Sequence, residues 1–178
     1  MKRWLLVIPL GLFLLMAVFL YRGLYLNPSE LPSAMIGKPF PPFALNTVQG
    51  NQPVTQTALL GKPALVNVWG TWCIACREEH PVLNKLAQQG VVIYGINYKD
   101  DNNAALKWLS DLSNPYQKII SDPDGSLGLN LGVYGAPETF LIDAKGVIRD
   151  KYVGAIDEQT WRDKVAPRYQ ALLDEAAR

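Results

Sequence analysis

The chain has 178 residues, 49% of them hydrophobic, with 17 basic and 16 acidic side chains and a formal net charge of +1. Setting aside Lys2, Arg3 and Arg22, which flank an apolar N-terminal run, leaves 14 basic against 16 acidic residues, a balance of −2. That balance offers no basic footprint, which excludes nucleic acid as an expected partner.

Residues 4–21 carry no charge. The stretch is near bilayer-spanning length, and membrane helices tolerate its Pro9 and Gly11. A cleaved secretory signal is the alternative. It has a shorter apolar region and small residues at its cleavage site, whereas Leu24-Tyr25-Leu26-Asn27-Pro28 is bulky. We expect a transmembrane anchor over 4–21. Two positive charges precede it and one follows, which places the N-terminus in the cytoplasm and the rest across the membrane. Residues 22–36, with Pro28, Ser29, Pro32 and Ser33, read as a tether. Residues 37–178 have the size of one domain.

Within the domain, Phe43-Ala44-Leu45 and Pro53-Val54 bracket Gln49-Gly50-Asn51 as a hairpin. Pro63 to Trp69 is a buried-strand run interrupted only by Asn67. A helix follows from about Cys76, with Val82, Leu83, Leu86 and Ala87 on one face and Gly90 at its end. Pro81 lies inside it and predicts a kink. Val91 to Ile96 is a second buried strand. Asp100 or Asp101 caps the next helix, whose Leu106, Leu109 and Leu112 share a side. Lys118 to Ile120 is a short strand. Asp122-Pro-Asp-Gly125 has turn chemistry and precedes a short helix near Leu127 to Leu131. Thr139 to Ile142 and Val147-Ile148 form a hairpin around Asp143 to Gly146. Asp157 caps a last helix running to about Asp174. Strands alternating with helices imply an α/β fold with a mixed sheet and helices on both faces.

The only two cysteines, Cys73 and Cys76, stand two residues apart between a strand and a helix. Chemistry gathers at such strand ends in open α/β sheets. Only a thiolate attacks a disulfide, and a helix N-terminus favours negative charge. The Cys73 thiol should therefore titrate below the free value of about 8.5, towards ~7. Cys76, almost a turn further in, is more shielded. We read Cys73 as the attacking thiol and Cys76 as the resolving one. A purely structural disulfide is a rival, but so small a loop constrains the unfolded chain little. Metal binding is another: Cys73, Cys76 and His80 have ligand chemistry, but no second pair completes a structural zinc site. No metal or cofactor is expected. Trp69 reads as core. Trp72 reads as the exposed rim of a docking surface.

Gly70-Thr-Trp-Cys-x-x-Cys-Arg-x-Glu-His80, Asn97-Tyr-Lys-Asp-Asp101 and Gly132-Val-Tyr-Gly-Ala-Pro-Glu-Thr-Phe-Leu-Ile-Asp143, behind an anchor, resemble the CcmG/DsbE family. These are membrane-tethered thiol:disulfide interchange proteins of cytochrome c maturation, within the thioredoxin superfamily. The resemblance implies a thioredoxin-like domain with an added N-terminal β-hairpin. It implies that Pro137 is a cis-proline facing the disulfide, so that the Ala136 backbone can pair with an extended substrate chain. A strand-edge proline is the plainer alternative. It implies a weak reductant on the inner membrane, working in the periplasm. The substrate would be apocytochrome c or a partner thiol protein of its maturation, kept reduced for haem attachment. Electrons would come from a membrane thiol conduit.

The same resemblance marks Glu79 and Glu138 as active-site acids. Each would raise thiol pKa by like-charge repulsion and could shuttle a proton. Thioredoxin's buried Asp, six residues before the first Cys, is here Asn67, which takes no proton. Glu78 reads as a solvated helix residue, and surface placement is the alternative for Glu79 and Glu138. Tyr134 and Tyr98 are candidates for the substrate groove, with packing as the alternative. Many relatives have proline first between the cysteines. Ile74-Ala75 replaces that pair and leaves the redox potential open, where 30 mV is about 1.4 kcal/mol. Rival functions are a general periplasmic oxidant or isomerase, a non-redox tether for apocytochrome, and copper delivery.

Overall fold

The computed structural model describes the backbone of residues 4–24 and 33–178; within the first stretch, side chains are described over 8–23. The described residues of the N-terminal unit form one helix, α1 (Trp4–Leu24). Among the described residues no helix is long and apolar enough to cross a membrane. Residues 25–32 of the expected tether lie outside the described residues.

The second unit, Ser33–Arg178, contains a seven-stranded sheet. Its strands are β1 (Ala44–Thr47), β2 (Pro53–Thr55), β3 (Ala64–Trp69), β4 (Ile93–Tyr98), β5 (Lys118–Asp122), β6 (Glu138–Ile142) and β7 (Ile148–Val153), in the order β2-β1-β5-β4-β3-β6-β7. Strands β3, β4 and β5 run parallel, while β6 and β1 join them antiparallel. The expected hairpin is β1–β2, with Leu45 opposite Val54. It extends the sheet edge beyond β5.

Every residue of β3 is buried, and alternate side chains feed two cores. Leu65 and Trp69 enter the first, with Leu83 and Leu86 of α2 (Ile74–Gln88) and Trp108 of α3 (Asn102–Leu112). Ala64, Val66 and Val68 enter the second, with Phe140 and with Leu127 of α4 (Ser126–Asn130). Burying each large apolar side chain stabilises the fold by about 1.5–3 kcal/mol. Helices thus lie on both faces, as the alternation predicts. Asn67 falls between Leu65 and Trp69 and shares their face, at 0% exposure.

Local structure differs from expectation in several places: β5 runs on to Asp122 and β7 to Val153, longer than the apolar runs that marked them. Helix α2 begins at Ile74, with Cys73 itself as N-cap, rather than near Cys76. Strand β4 starts two residues late because the Val91 N–H still closes α2 on the Leu86 carbonyl (3.1 Å) after Gly90 turns at φ +88°. In α3 the buried face is Ala105, Trp108 and Leu109, and Leu106 is exposed. Leucines at three-residue spacing drift about 60° per step around a helix, and the bulkier Trp108 takes the core position instead. The last helix is interrupted: α5 (Glu158–Thr160) passes through a π-helical stretch, Trp161–Val165, into α6 (Ala166–Ala176). Pro167 lacks the N–H that would bond the Asp163 carbonyl, and its ring crowds that oxygen, which accounts for the wider turn. Asp157 caps α5 as expected, accepting from the Thr160 N–H at 2.6 Å.

Candidate active site

Strand β3 delivers the chain to Gly70, and the turn that follows is held from outside. Asp100 accepts from the Thr71 N–H (2.6 Å) and the Thr71 hydroxyl (2.9 Å), and also from the Asp101 N–H (2.9 Å). Asp101 is the helix cap, accepting from Ala104 N–H. Asp100 is thus freed to tie the cysteine turn to the end of β4. Trp72 donates from Nε1 to the Tyr98 carbonyl at 3.2 Å, and the residue is 52% exposed. The ring folds back over Gly70, where a Cβ would come within 2.5 Å of Nε1. Asp100→Ala removes three acceptor contacts, two of them to the turn. Hydrogen bonds to a charged group are worth about 1.5–3 kcal/mol. We expect about 2 kcal/mol lower stability by urea unfolding; unchanged stability would show that Asp100 does not hold the turn.

Cys73 and Cys76 form a disulfide, S–S 2.08 Å and Cα–Cα 5.3 Å. Cys73 Sγ also accepts the Cys76 N–H at 3.0 Å, so the sulfur occupies the cap position of α2. Here the unpaired N–H groups and the helix dipole favour negative charge. Exposure separates the two residues only slightly, 5% for Cys73 against 2% for Cys76. The choice of attacker therefore rests on the cap, not on accessibility.

The Ala136–Pro137 peptide is cis. Pro137 is buried and its carbonyl accepts the Gly154 N–H at 2.9 Å. Ala136 is half-buried and packs against the core cluster that contains both cysteines. Its N–H and carbonyl make no hydrogen bond among the described residues. Exposed apolar side chains include Trp72, Ile74 at 79% and Tyr134 at 87%.

Both acids predicted from the sequence are buried, Glu79 at 2% and Glu138 at 1% exposure, and Glu78 is exposed. Glu79 lies three residues after Cys76, on the same face of α2. Its Oε1 accepts from Asn67 Nδ2 (2.9 Å) and its Oε2 from the Ile156 N–H (3.0 Å). Burial pushes its carboxyl from 4.5 up to about 7, against the opposing pull of the Ile156 and Asn67 donors. Asn67 is fixed in turn. Its Nδ2 also donates to Thr139 Oγ1 (3.0 Å), and its Oδ1 accepts from the Tyr116 hydroxyl (2.8 Å). Burial, then the neighbouring Glu79, raises the Tyr116 phenol. The amide at position 67 is therefore a holder of Glu79 rather than an empty place for a missing base. Glu138 Oε1 accepts the Tyr134 N–H (2.9 Å). Its Oε2 faces Lys151 Nζ at 2.9 Å, an ion pair outside hydrogen-bond angles.

Two other candidates resolve as packing. His80 is 2% exposed, with Nε2 on the Ser113 carbonyl (2.8 Å) and its ring edge-on to Trp108 and Tyr116. Burial lowers its pKa, which favours the neutral imidazole. Among the described residues no group of three or more His, Cys, Asp or Glu is arranged to hold a metal. Tyr98 packs in the second core, and Tyr134 alone of the two tyrosines is open. Four participants were not singled out in the sequence: Tyr116, Thr139, Ile156 and Lys151. Thr139 lies within the Gly132–Asp143 motif; the other three carry no local signal. A cleft between the hairpin and β5, walled by Thr47, Gln52, Thr55 and Lys118, contains none of the site residues.

A parallel β3-β4-β5 core, an antiparallel β6–β7 pair, a helix capped by one cysteine of a disulfide and a cis-proline just before β6 define a thioredoxin-like thiol:disulfide oxidoreductase. A Redoxin family model matches residues 35–169. The chain belongs to the DsbE family of thiol:disulfide interchange proteins. It is 76% identical over 176 residues to the thiol:disulfide interchange protein DsbE of Pseudomonas fluorescens biotype C, covering 99% of each chain. It is 47% identical to that of Escherichia coli K12 over 184 residues, covering 99% of this chain and all of the relative. Among solved structures it resembles a secreted Mycobacterium tuberculosis disulfide oxidoreductase (25% identity, TM-score 0.60, 73% of this chain and 96% of the other). It also resembles a thio-disulfide isomerase from Thermus thermophilus (26% identity, TM-score 0.60, 74% and 95%).

Proposed function

We propose that this protein is an anchored periplasmic reductant that opens disulfides in apocytochrome c, or in a thiol protein of cytochrome c maturation, before haem attachment. Haem joins the thiols of Cys-x-x-Cys-His motifs, and the oxidising space outside the cytoplasm tends to pair those thiols. The observation that carries the reading is the cap-bound sulfur of Cys73 in the same fold as the cis Ala136–Pro137 peptide of the Gly132–Asp143 motif, with Ala136 packed against the core cluster that contains both cysteines.

The reduced protein starts the cycle. The Cys73 thiolate attacks one substrate sulfur; the substrate S–S bond breaks and its other sulfur leaves as thiolate, taking a proton. A mixed disulfide joins Cys73 to the substrate. Cys76 then loses its proton and attacks Cys73 Sγ, expelling the second substrate thiolate. Two electrons have passed to the substrate, and the protein holds the Cys73–Cys76 disulfide seen in the structure. A membrane thiol conduit restores the dithiol. Glu79, with a carboxyl near neutrality and one turn from Cys76, is the acceptor for the resolving thiol's proton. Glu138 and Tyr134 belong to the substrate side with Ala136, Pro137 and Trp72. The unpaired Ala136 backbone supports docking by strand addition.

The anchor rests on the uncharged segment 4–21, whose residues 4–7 fall outside the described side chains. Helix α1, at 21 residues, is about 30 Å long, the thickness of a bilayer core. Lys2 and Arg3 before segment 4–21 and Arg22 after it support a domain on the periplasmic side.

Trapping tests the proposal. In Cys76→Ala the mixed disulfide is not resolved, so native partners accumulate on Cys73. Recovery of apocytochrome c or a maturation thiol protein is the expected outcome. Recovery of unrelated secreted proteins alone would favour the general oxidant or isomerase instead. A double Cys→Ala protein that still supports cytochrome c assembly would favour the non-redox tether.

A further inference from the structure

Lys151 on β7 is a buried cation with an unusual set of contacts. Its side chain is 5% exposed. Nζ donates to the Gly132 carbonyl (2.7 Å), faces Glu138 Oε2 (2.9 Å), and lies over the rings of Tyr134 (4.8 Å) and Phe140 (5.4 Å). Glu138 extends the reach, because its Oε1 accepts the Tyr134 N–H. The ammonium and its counter-ion thus touch the start, middle and end of the segment Gly132 to Glu138, which carries Ala136 and Pro137. The segment enters β6 only at Glu138, which pairs with Val68 and Val153, and before that residue it has no ladder of its own. Its own backbone bonds are few: Gly132 N–H to Leu129, Val133 N–H to Gly128, and the Pro137 carbonyl from Gly154. A lysine is buried only where partners offset its desolvation, and here an anion, a carbonyl and two ring faces do so.

We propose that Lys151 is the positioning residue of the docking segment, holding Gly132 to Glu138 in the form that receives an extended substrate chain. The inference rests on the reading of Ala136 and Pro137 as the docking site. A polypeptide that pairs with a preformed segment loses less free energy to ordering it. A small disulfide needs only the sulfur of Cys73. Lys151 therefore governs affinity for peptide disulfides and not the intrinsic reactivity of the thiol. It also offsets the Glu138 charge, so this carboxylate acts first as an anchor for the Tyr134 N–H.

The test uses the reduced full-length chain in single turnovers with two oxidants, an oxidised Cys-x-x-Cys-His peptide and dithiodipyridine. Lys151→Met is expected to raise the half-saturating peptide concentration about tenfold, leaving the maximal rate and the dithiodipyridine rate unchanged. Lys151→Arg keeps the cation and is expected to recover most of the peptide affinity. If Lys151→Met fails to fold because Glu138 is left as a lone buried charge, Lys151→Gln removes the cation but leaves an amide donor facing the carboxylate, and a rise in the half-saturating peptide concentration with an unchanged dithiodipyridine rate is again expected. Unchanged peptide saturation, a parallel loss with both oxidants, or no recovery in a folded Lys151→Arg protein would each overturn the proposal. Amide exchange on the peptide adduct of Cys76→Ala separates this from the docking reading. Protection of the Ala136 N–H supports docking whatever Lys151 does, and its absence removes the docking reading itself.

Discussion

Cys73→Ala abolishes disulfide exchange, whereas Cys76→Ala retains one attack and stops at the mixed disulfide. The asymmetry follows from the first turn of α2. Cys73 Sγ is the cap acceptor, 3.0 Å from the Cys76 N–H, and a negative sulfur there meets unpaired backbone donors. Cys76 lies inside the helix, with Glu79 one turn on and the apolar core around it. Removing the only cap-bound nucleophile should lower the exchange rate by at least about 10³-fold, the scale of nucleophile deletions. Rapid-mixing kinetics with a peptide disulfide, read by mass spectrometry, checks both variants. Adduct formation on Cys76 in Cys73→Ala at a rate near wild type would reverse the assignment. Exposures of 5% and 2% could not have ordered the two residues.

Glu79→Gln removes a pH dependence of stability and slows resolution of the mixed disulfide. The carboxyl titrates at 4.5 when free and at about 7 in the fold, so the folded protein holds the proton more tightly. Between those values the folded state binds more protons than the unfolded one, and stability falls as pH rises. Below 4.5 the group is neutral in both states. Above 7 it is charged in both, and burying the charge costs about 3 kcal/mol relative to acid pH. Urea unfolding of the oxidised protein across this window should show a downward slope of up to about 1.4 kcal/mol per pH unit from this group. The slope should flatten in Glu79→Gln. An amide donor placed against Asn67 Nδ2 or the Ile156 N–H offsets part of the gain at high pH, so the slope is the readout. The same substitution removes the proton acceptor nearest Cys76 along the helix, and loss of a general base slows a step by about 10²-fold or more. An identical slope in the variant would place the titration elsewhere, and an unchanged adduct lifetime would remove Glu79 from the resolving step.

The strands, the α2 apolar face, the two hairpins and the two thiols were legible because each is a local pattern. Val-rich runs, Gly90, Asp122-Pro-Asp-Gly125 and Cys-x-x-Cys state their conformations over a few residues. The α3 face was misread for a local reason as well, since leucine spacing was counted without the volume of Trp108. What the sequence determined by itself is therefore the order of elements, the position of the disulfide at a strand end, and, through three extended motifs, the family. Only the tertiary structure decided what surrounds the sulfurs. Asn67 meets Glu79, Thr139 and Tyr116 across separations of 12, 72 and 49 residues, and Ile156 reaches Glu79 across 77. Lys151 reaches Gly132 across 19. Such contacts arise from which side chains the sheet register brings to one face, and no periodicity along the chain records it. A carboxyl's proton affinity depends on the water excluded around it, and that exclusion exists only once strands β3 and β6 and helix α2 have closed together.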